Sequence, residues 1–294
     1  MANDPNLHIH ATPPPGAAAD WTIDQNWGAF SDAEHAVWDT LFARQADLLP
    51  GRAADAFLRG LDVLRLDRPG IPDFAVLNER LMAATGWQVV AVPGLVPDEA
   101  FFRHLSERRF VSGNFIRRAD QLDYLEEPDV FHDVFGHVPM LADPRFADYM
   151  QAYGRGGLRS LGYGALHKLA RLYWYTVEFG LIRQGNGLRI YGAGIVSSAG
   201  ETRFALESDS PNRIGFDLQR LLRTNYRIDD FQQSYFVIDS LDQLLDTTVN
   251  TDFAPLYTEL EGLPDFAPDV LLPTDEVVTA GSQEYARSRS MASG

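Results

Sequence analysis

The stretch Glu127-Pro128-Asp129-Val130-Phe131-His132-Asp133-Val134-Phe135-Gly136-His137-Val138-Pro139 sets two histidines five residues apart in an apolar run. Neutral imidazole is a common ligand for zinc, iron and copper, so two in one short segment point to a metal. The spacing is not His-Glu-x-x-His, in which positions i and i+4 share one helical face. At about 3.6 residues per turn, five residues lie about 140° apart on an ideal helix. Both rings reach one ion if the helix ends between them, and Gly136 and Pro139 are the residues expected to end it. Val130, Phe131, Val134 and Phe135 are apolar, so one flank should be buried, and a buried imidazole needs a partner. Two unrelated histidines on a solvated helix is the alternative, and the spacing leaves it open.

A second stretch narrows the choice. A helix is predicted from about Ala165 to Ile182, with Leu166, Leu169, Leu172, Tyr173 and Val177 at core spacing and Gln184-Gly185-Asn186-Gly187 as its cap. Its one acid is Glu178, flanked on a helix by Trp174, Leu181 and Ile182. A carboxylate buried there costs several kcal/mol unless a base or a cation compensates it. A core arginine would serve; so would one ion shared with His132 and His137. Two histidines and one carboxylate leave up to three coordination positions open, the ligand set of non-haem Fe(II) enzymes that activate oxygen.

Composition bounds the rest. A chain of 294 residues suits one large domain or two small ones, and 45% hydrophobic with 12% aromatic residues is ordinary for a globular protein. A net charge of −16 without a basic patch argues against nucleic acid or an anionic membrane as partner. The absence of cysteine excludes disulfides, Cys-ligated zinc and iron–sulfur clusters, leaving His, Asp and Glu for a metal. No run of about 18 apolar residues exists to span a bilayer. Met1-Ala2-Asn3-Asp4-Pro5-Asn6 does not open like a secretory signal, so a cytoplasmic location is expected.

Along the chain, residues 1–20 are expected to be a disordered tail, carrying Pro13-Pro14-Pro15-Gly16 and a solvated His8 and His10. A single domain is expected over 21–275 and a flexible tail over 276–294. Ser31-Asp32-Ala33-Glu34 has the capping-box form and opens a helix with Val37, Trp38, Leu41 and Phe42 at core spacing. Further helices are predicted from Ala53 to Leu64, from Phe74 to Thr85 with Gly86 as the stop, and from Pro97. Trp87 to Gly94 is a candidate strand. Phe101 follows on the Pro97 helix, where its plain reading is core.

Three blocks resemble one family: Glu127-Pro128-Asp129 through His137-Val138-Pro139, Tyr173-Trp174-Tyr175-Thr176-Val177-Glu178-Phe179-Gly180-Leu181, and Tyr191-Gly192-Ala193-Gly194-Ile195-Val196-Ser197-Ser198-Ala199-Gly200-Glu201. They are similar to the pterin-dependent aromatic amino acid hydroxylases, over about Phe30 to Leu245, and most like single-domain bacterial members acting on phenylalanine. The resemblance implies a catalytic domain that is mainly α with a few short β-strands, an open helical basket. Pro264, Pro268 and Pro273 interrupt the segment where animal members carry a tetramerisation helix, so a monomer is implied.

Position by position, the resemblance implies His132, His137 and Glu178 as ligands of Fe(II). It places Phe101, Gly94 and Asp133 at a tetrahydropterin cosubstrate, with Asp133 one methylene shorter than the Glu of animal members. Arg117 matches the residue that holds the substrate carboxylate, as suits a guanidinium fork. Asp129 would fix Arg117, Ser197 would add a hydrogen bond, and Trp174 would wall the substrate ring. Leu125 replaces a threonine of animal members, and Glu201 matches an acid behind the ligands. The implied reaction converts L-phenylalanine to L-tyrosine with tetrahydropterin and dioxygen. The alternatives are a tryptophan hydroxylase of the same family, with Ile228 in the region that tunes the substrate, or a zinc hydrolase or non-catalytic metal-binding protein.

Overall fold

The structure, a computed structural model, describes residues 12–123 and 127–292. His8, His10 and Leu125 lie outside the described residues. At the start of the first long helix, Asp32–Leu48, Ser31 accepts from the Glu34 amide while the Glu34 carboxylate accepts from the Ser31 amide, closing the expected capping box. Val37, Trp38 and Leu41 on that helix are buried. Helices Asp55–Leu64 and Phe74–Thr85 follow, the second stopped by Gly86 at φ +75°, a left-handed conformation that costs glycine little.

Strand β1, Gln88–Val92, falls where sequence reading put one. Helix Asp98–Ser106 then leads into β2, Arg109–Gly113, which returns parallel to β1 in a register of Gln88 with Arg109. The larger sheet is built from β3 (Leu181–Gln184), β4 (Gly187–Ile190), β5 (Asn212–Gly215), β6 (Ser234–Ile238) and β7 (Val277–Thr279), in the order β4-β3-β6-β5-β7. Its β3, β6 and β5 run parallel, and the two edge strands run antiparallel. Every residue of β6 is buried, as a strand covered on both faces requires. The protein is mainly helical with a few short strands, as the resemblance implied. Among the described residues no helix is long and apolar enough to cross a membrane.

Three expectations are corrected. The helix predicted from Ala165 to Ile182 ends at Glu178, and Leu181–Gln184 is strand β3. Gln184-Gly185-Asn186-Gly187 is therefore no helix cap; it is a two-residue hairpin loop in which Gly185 supplies φ +59°. Segment 276–294, expected to be a flexible tail, contributes β7 and the helix Glu284–Ala292 instead. There Tyr285 packs against Phe204 and Phe231, apolar anchoring that its polar neighbours hide from a sequence reading. Of the expected N-terminal tail, Asp20 is tied down by an ion pair with Arg109 at 3.0 Å.

Candidate metal centre

Asp129 opens the histidine segment. Its buried carboxylate accepts from the His132 amide at 3.0 Å, the hydrogen bond of a side chain capping a helix start. It also accepts from Arg117 Nε at 2.9 Å, Arg117 Nη2 at 2.8 Å and the Arg117 amide at 2.9 Å. Burial works against the charge, but the Arg117 guanidinium and these donors hold the carboxyl below the usual carboxylate range.

The helix does not stop between the histidines. Phe131–His137 winds as a π-helix and passes directly into Val138–Leu141. The wider turn of a π-helix brings residues five apart onto one side, which an ideal α-helix cannot do. Gly136 has a different task from the one expected: a Cβ there would stand 3.0 Å from the Ala193 carbonyl oxygen. On the other flank Phe131 and Phe135 stack at 4.7 Å, and Trp38 meets Phe131 edge-on.

Glu178 is also presented by a π-helix, Trp174–Glu178, continuing the helix Leu166–Tyr173. Thr176 Oγ1 donates back to the Leu172 carbonyl at 2.5 Å and accepts from the Tyr149 hydroxyl at 2.8 Å. Threonine bonding of this kind loosens the backbone ladder of a helix. Beyond it, the Phe179 amide bonds the Trp174 carbonyl five residues back, at 2.8 Å.

The three side chains meet. His132 Nε2 lies 3.2 Å from His137 Nε2 and 3.5 Å from Glu178 Oε2, and His137 Nε2 lies 3.2 Å from Glu178 Oε1. Adjacent positions around an octahedral ion with bonds of about 2.1 Å are about 3.0 Å apart, so the triangle fits one face of such an ion. Ser197 Oγ spends its proton on the Ala193 carbonyl at 2.7 Å and so must accept from His132 Nδ1 at 3.1 Å. That fixes the His132 tautomer and turns the Nε2 lone pair to the centre. Burial pushes the His132 pKa down to about 4, keeping the ring neutral and able to ligate at pH 7. His137 is packed between Phe110 at 4.9 Å and Tyr173 at 6.1 Å, with a buried Nδ1 that has no partner among the described residues.

The biopterin-dependent aromatic amino acid hydroxylase family matches residues 27–254. The chain belongs to that family. It is 62% identical to a phenylalanine-4-hydroxylase of Caulobacter vibrioides, covering 96% of each chain. It is 61% identical to a phenylalanine-4-hydroxylase of Ralstonia nicotianae, covering 90% of this chain and 84% of the relative. The solved Chromobacterium violaceum phenylalanine hydroxylase with bound iron(III) and oxidised 7,8-dihydrobiopterin superposes with a TM-score of 0.85 at 54% identity. That match covers 92% of this chain and 95% of the other.

In this biopterin-dependent hydroxylase the other expected site residues fall as follows. Phe101 is buried, edge-on to Phe102 and Tyr173 at 5.7 Å each, so it sits one ring away from His137. Asp133 accepts from the Gly113 amide at 2.8 Å, and burial raises its pKa to about 7. Gly94 follows β1, where a Cβ would stand 3.0 Å from Glu127 Oε1. Two further positions have their partners inside the protein. Ser197, expected on the substrate side, is bonded to His132. Glu201, expected behind the metal ligands, accepts from the Tyr235 hydroxyl and from the Gln232 amide at 3.3 Å.

Gln232 and Tyr226 are the residues that sequence reading missed. The Trp174 indole stacks on Tyr226 at 4.3 Å and donates from Nε1 to Gln232 Oε1 at 2.9 Å. Both lie more than fifty positions beyond Trp174, and no periodicity or motif links a loop glutamine to it.

Proposed function

We propose that this chain hydroxylates L-phenylalanine to L-tyrosine with a tetrahydropterin and dioxygen, at a non-haem Fe(II) held by His132, His137 and Glu178. The observation that carries the reading is the triangle of two neutral imidazoles and one carboxylate, in a chain of the biopterin-dependent family. The names of its close relatives supply the substrate. Family membership sets aside the zinc hydrolase and the non-catalytic metal-binding protein.

When bound, the iron supplies, with the pterin, the redox chemistry that activates dioxygen. The protein's residues hold and orient. Ser197 keeps the proton of His132 on Nδ1, so that Nε2 stays a ligand. Arg117 gives one N–H from Nε and one from Nη2 to Asp129, and one from Nη1 to the Leu122 carbonyl at 3.4 Å. Among the described residues one N–H on each Nη has no acceptor, a planar fork that suits the substrate carboxylate. Trp174, fixed by Tyr226 and Gln232, forms the wall for the aromatic ring. Phe101, Gly94 and Asp133 form the pterin side, and the rings of Phe110 and Tyr173 keep water from His137. We also take the enzyme to be a cytoplasmic monomer; its net charge of −16 supports the absence of a nucleic-acid partner.

The test is turnover by protein loaded with Fe(II) without oxygen, then given phenylalanine, tetrahydropterin and air. Tyrosine should form only when all three are present, and zinc-loaded protein should be inactive. Iron-loaded protein that makes no tyrosine, or that prefers tryptophan, would overturn the substrate assignment.

A further inference from the structure

Trp174 is held by a chain of contacts that runs to the far end of the sequence. Gln232, only 2% exposed, uses both ends of its carboxamide and its backbone amide. Its Oε1 accepts from the indole at 2.9 Å, and its Nε2 donates to the Arg227 carbonyl at 2.8 Å and the Asp230 carbonyl at 3.3 Å. Its amide donates to Glu201 Oε1. One carboxamide thus joins the indole to the turn 227–230, and the same loop supplies the Tyr226 ring beneath that indole.

The loop is clasped from outside by the helix Glu284–Ala292. The Tyr285 hydroxyl donates to Asp230 Oδ1 at 2.9 Å, and Arg289 Nε pairs with Asp230 Oδ2 at 3.2 Å. The Tyr285 ring also stacks on Phe231 at 5.4 Å. A hydrogen bond, an ion pair and an aromatic contact on two adjacent residues restrain the loop that carries Gln232.

We propose that Gln232 and Tyr285 are positioning residues for the aromatic substrate: the C-terminal helix fixes the 226–232 loop, and Gln232 passes that restraint to Trp174. The proposal rests on the reading of Trp174 as the wall of the substrate ring. Neither residue touches substrate or metal. An indole with both its face and its N–H engaged has one orientation, and a pocket wall held in place does not have to be ordered when the ring enters. Loosening it weakens phenylalanine and spares the pterin, which lies on the Phe101 side.

The experiment uses the iron-loaded full chain and four variants: Tyr285→Phe, Gln232→Met, Trp174→Phe, and Gln232→Met in the Trp174→Phe background. Tyr285→Phe keeps the stack on Phe231 and removes only the hydroxyl; it carries the test if Gln232→Met does not fold. The KM for phenylalanine should rise roughly three- to tenfold in Gln232→Met and about two- to fivefold in Tyr285→Phe, for loss of a hydrogen bond or part of one. The pterin KM, iron content and Tm of Tyr285→Phe should match wild type. In the Trp174→Phe background, which has no indole N–H, Gln232→Met should add less than about twofold, because the coupled pair is already broken. An unchanged phenylalanine KM in Tyr285→Phe and Gln232→Met, beside a raised one in Trp174→Phe, would overturn the clasp and leave the ring wall standing. A rise in both KM values together with a fallen Tm would make the two residues merely structural and overturn it as well. A wild-type phenylalanine KM in Trp174→Phe would remove the ring wall itself.

Discussion

At Arg117 the fold spends a buried ion pair to aim two N–H groups. Asp129 occupies the Nε edge of the guanidinium at 2.8 and 2.9 Å, which leaves the outer edge for a second carboxylate. A lysine would keep the charge and lose the fork. Arg117→Lys should therefore weaken the phenylalanine response by about ten- to a hundredfold, the worth of a charge-assisted hydrogen bond, with iron content unchanged. Phenethylamine, which lacks the carboxylate, should be used no worse by the variant than by wild type; equal harm to both substrates would assign Arg117 to the fold alone. Glu201 carries a second residue-scale prediction. Burial raises its pKa to about 7 from an ordinary 4.5. The folded state thus favours the neutral acid, a stabilisation fully present below about pH 4.5 and lost as pH rises through about 7. The span is on the order of 3 kcal/mol. Glu201→Gln cannot ionise, so denaturant unfolding at pH 5 and pH 8 should show the variant gaining on wild type by roughly 2–3 kcal/mol. Stability curves that stay parallel across that range would mean Glu201 is ionised throughout.

At the scale of elements, the centre is the meeting of two π-helical segments with a short helix, Ala193–Val196, that leads into Ser197. Ser197 holds His132 from that third element, so Ser197→Ala frees the imidazole to turn. Loss of such a support typically costs ten- to a hundredfold in metal affinity, and iron titration of the variant should show a decrease of about that size. A wild-type affinity would show that packing alone orients the ring. These elements also explain what could be read in advance. His132 and His137 were legible because polar residues among Val130, Phe131, Val134 and Phe135 demand a partner, Glu178 because it stands alone among Trp174, Leu181 and Ile182, and Gly86 marked its helix end correctly. The π-helical winding was not, because one extra residue per turn leaves the apolar spacing of Phe131 and Phe135 intact. Gln232, Tyr226 and the docking of Tyr285 were illegible for another reason. Each depends on which loop the chain brings beside Trp174, and no local pattern records that.

Across the whole molecule, the two histidines and the glutamate come from two π-helical segments far apart in the chain. The histidine segment follows β2 and leads into the helices that pack around Pro144–Ser160, whereas Glu178 immediately precedes β3 of the five-stranded sheet. An ion shared by them ties these two segments together, and unfolding must break that tie. Ligand linkage puts the gain at about 2.7 kcal/mol when free metal is a hundredfold above its dissociation constant. At about 2–4 °C per kcal/mol for a large domain, saturating Fe(II) under anaerobic conditions should raise Tm by roughly 5–10 °C. Glu178→Gln keeps the size of the side chain but removes the anionic ligand, the one supplied by the second π-helical segment. Its Tm should respond to Fe(II) by less than half the wild-type amount, each shift measured against that protein's own metal-free Tm. Scanning calorimetry of both proteins, with chelator and with metal, measures the four temperatures needed. If Glu178→Gln gained as much from Fe(II) as wild type does, the ion would be binding without bridging the two segments, and Glu178 would have to be removed from the ligand set.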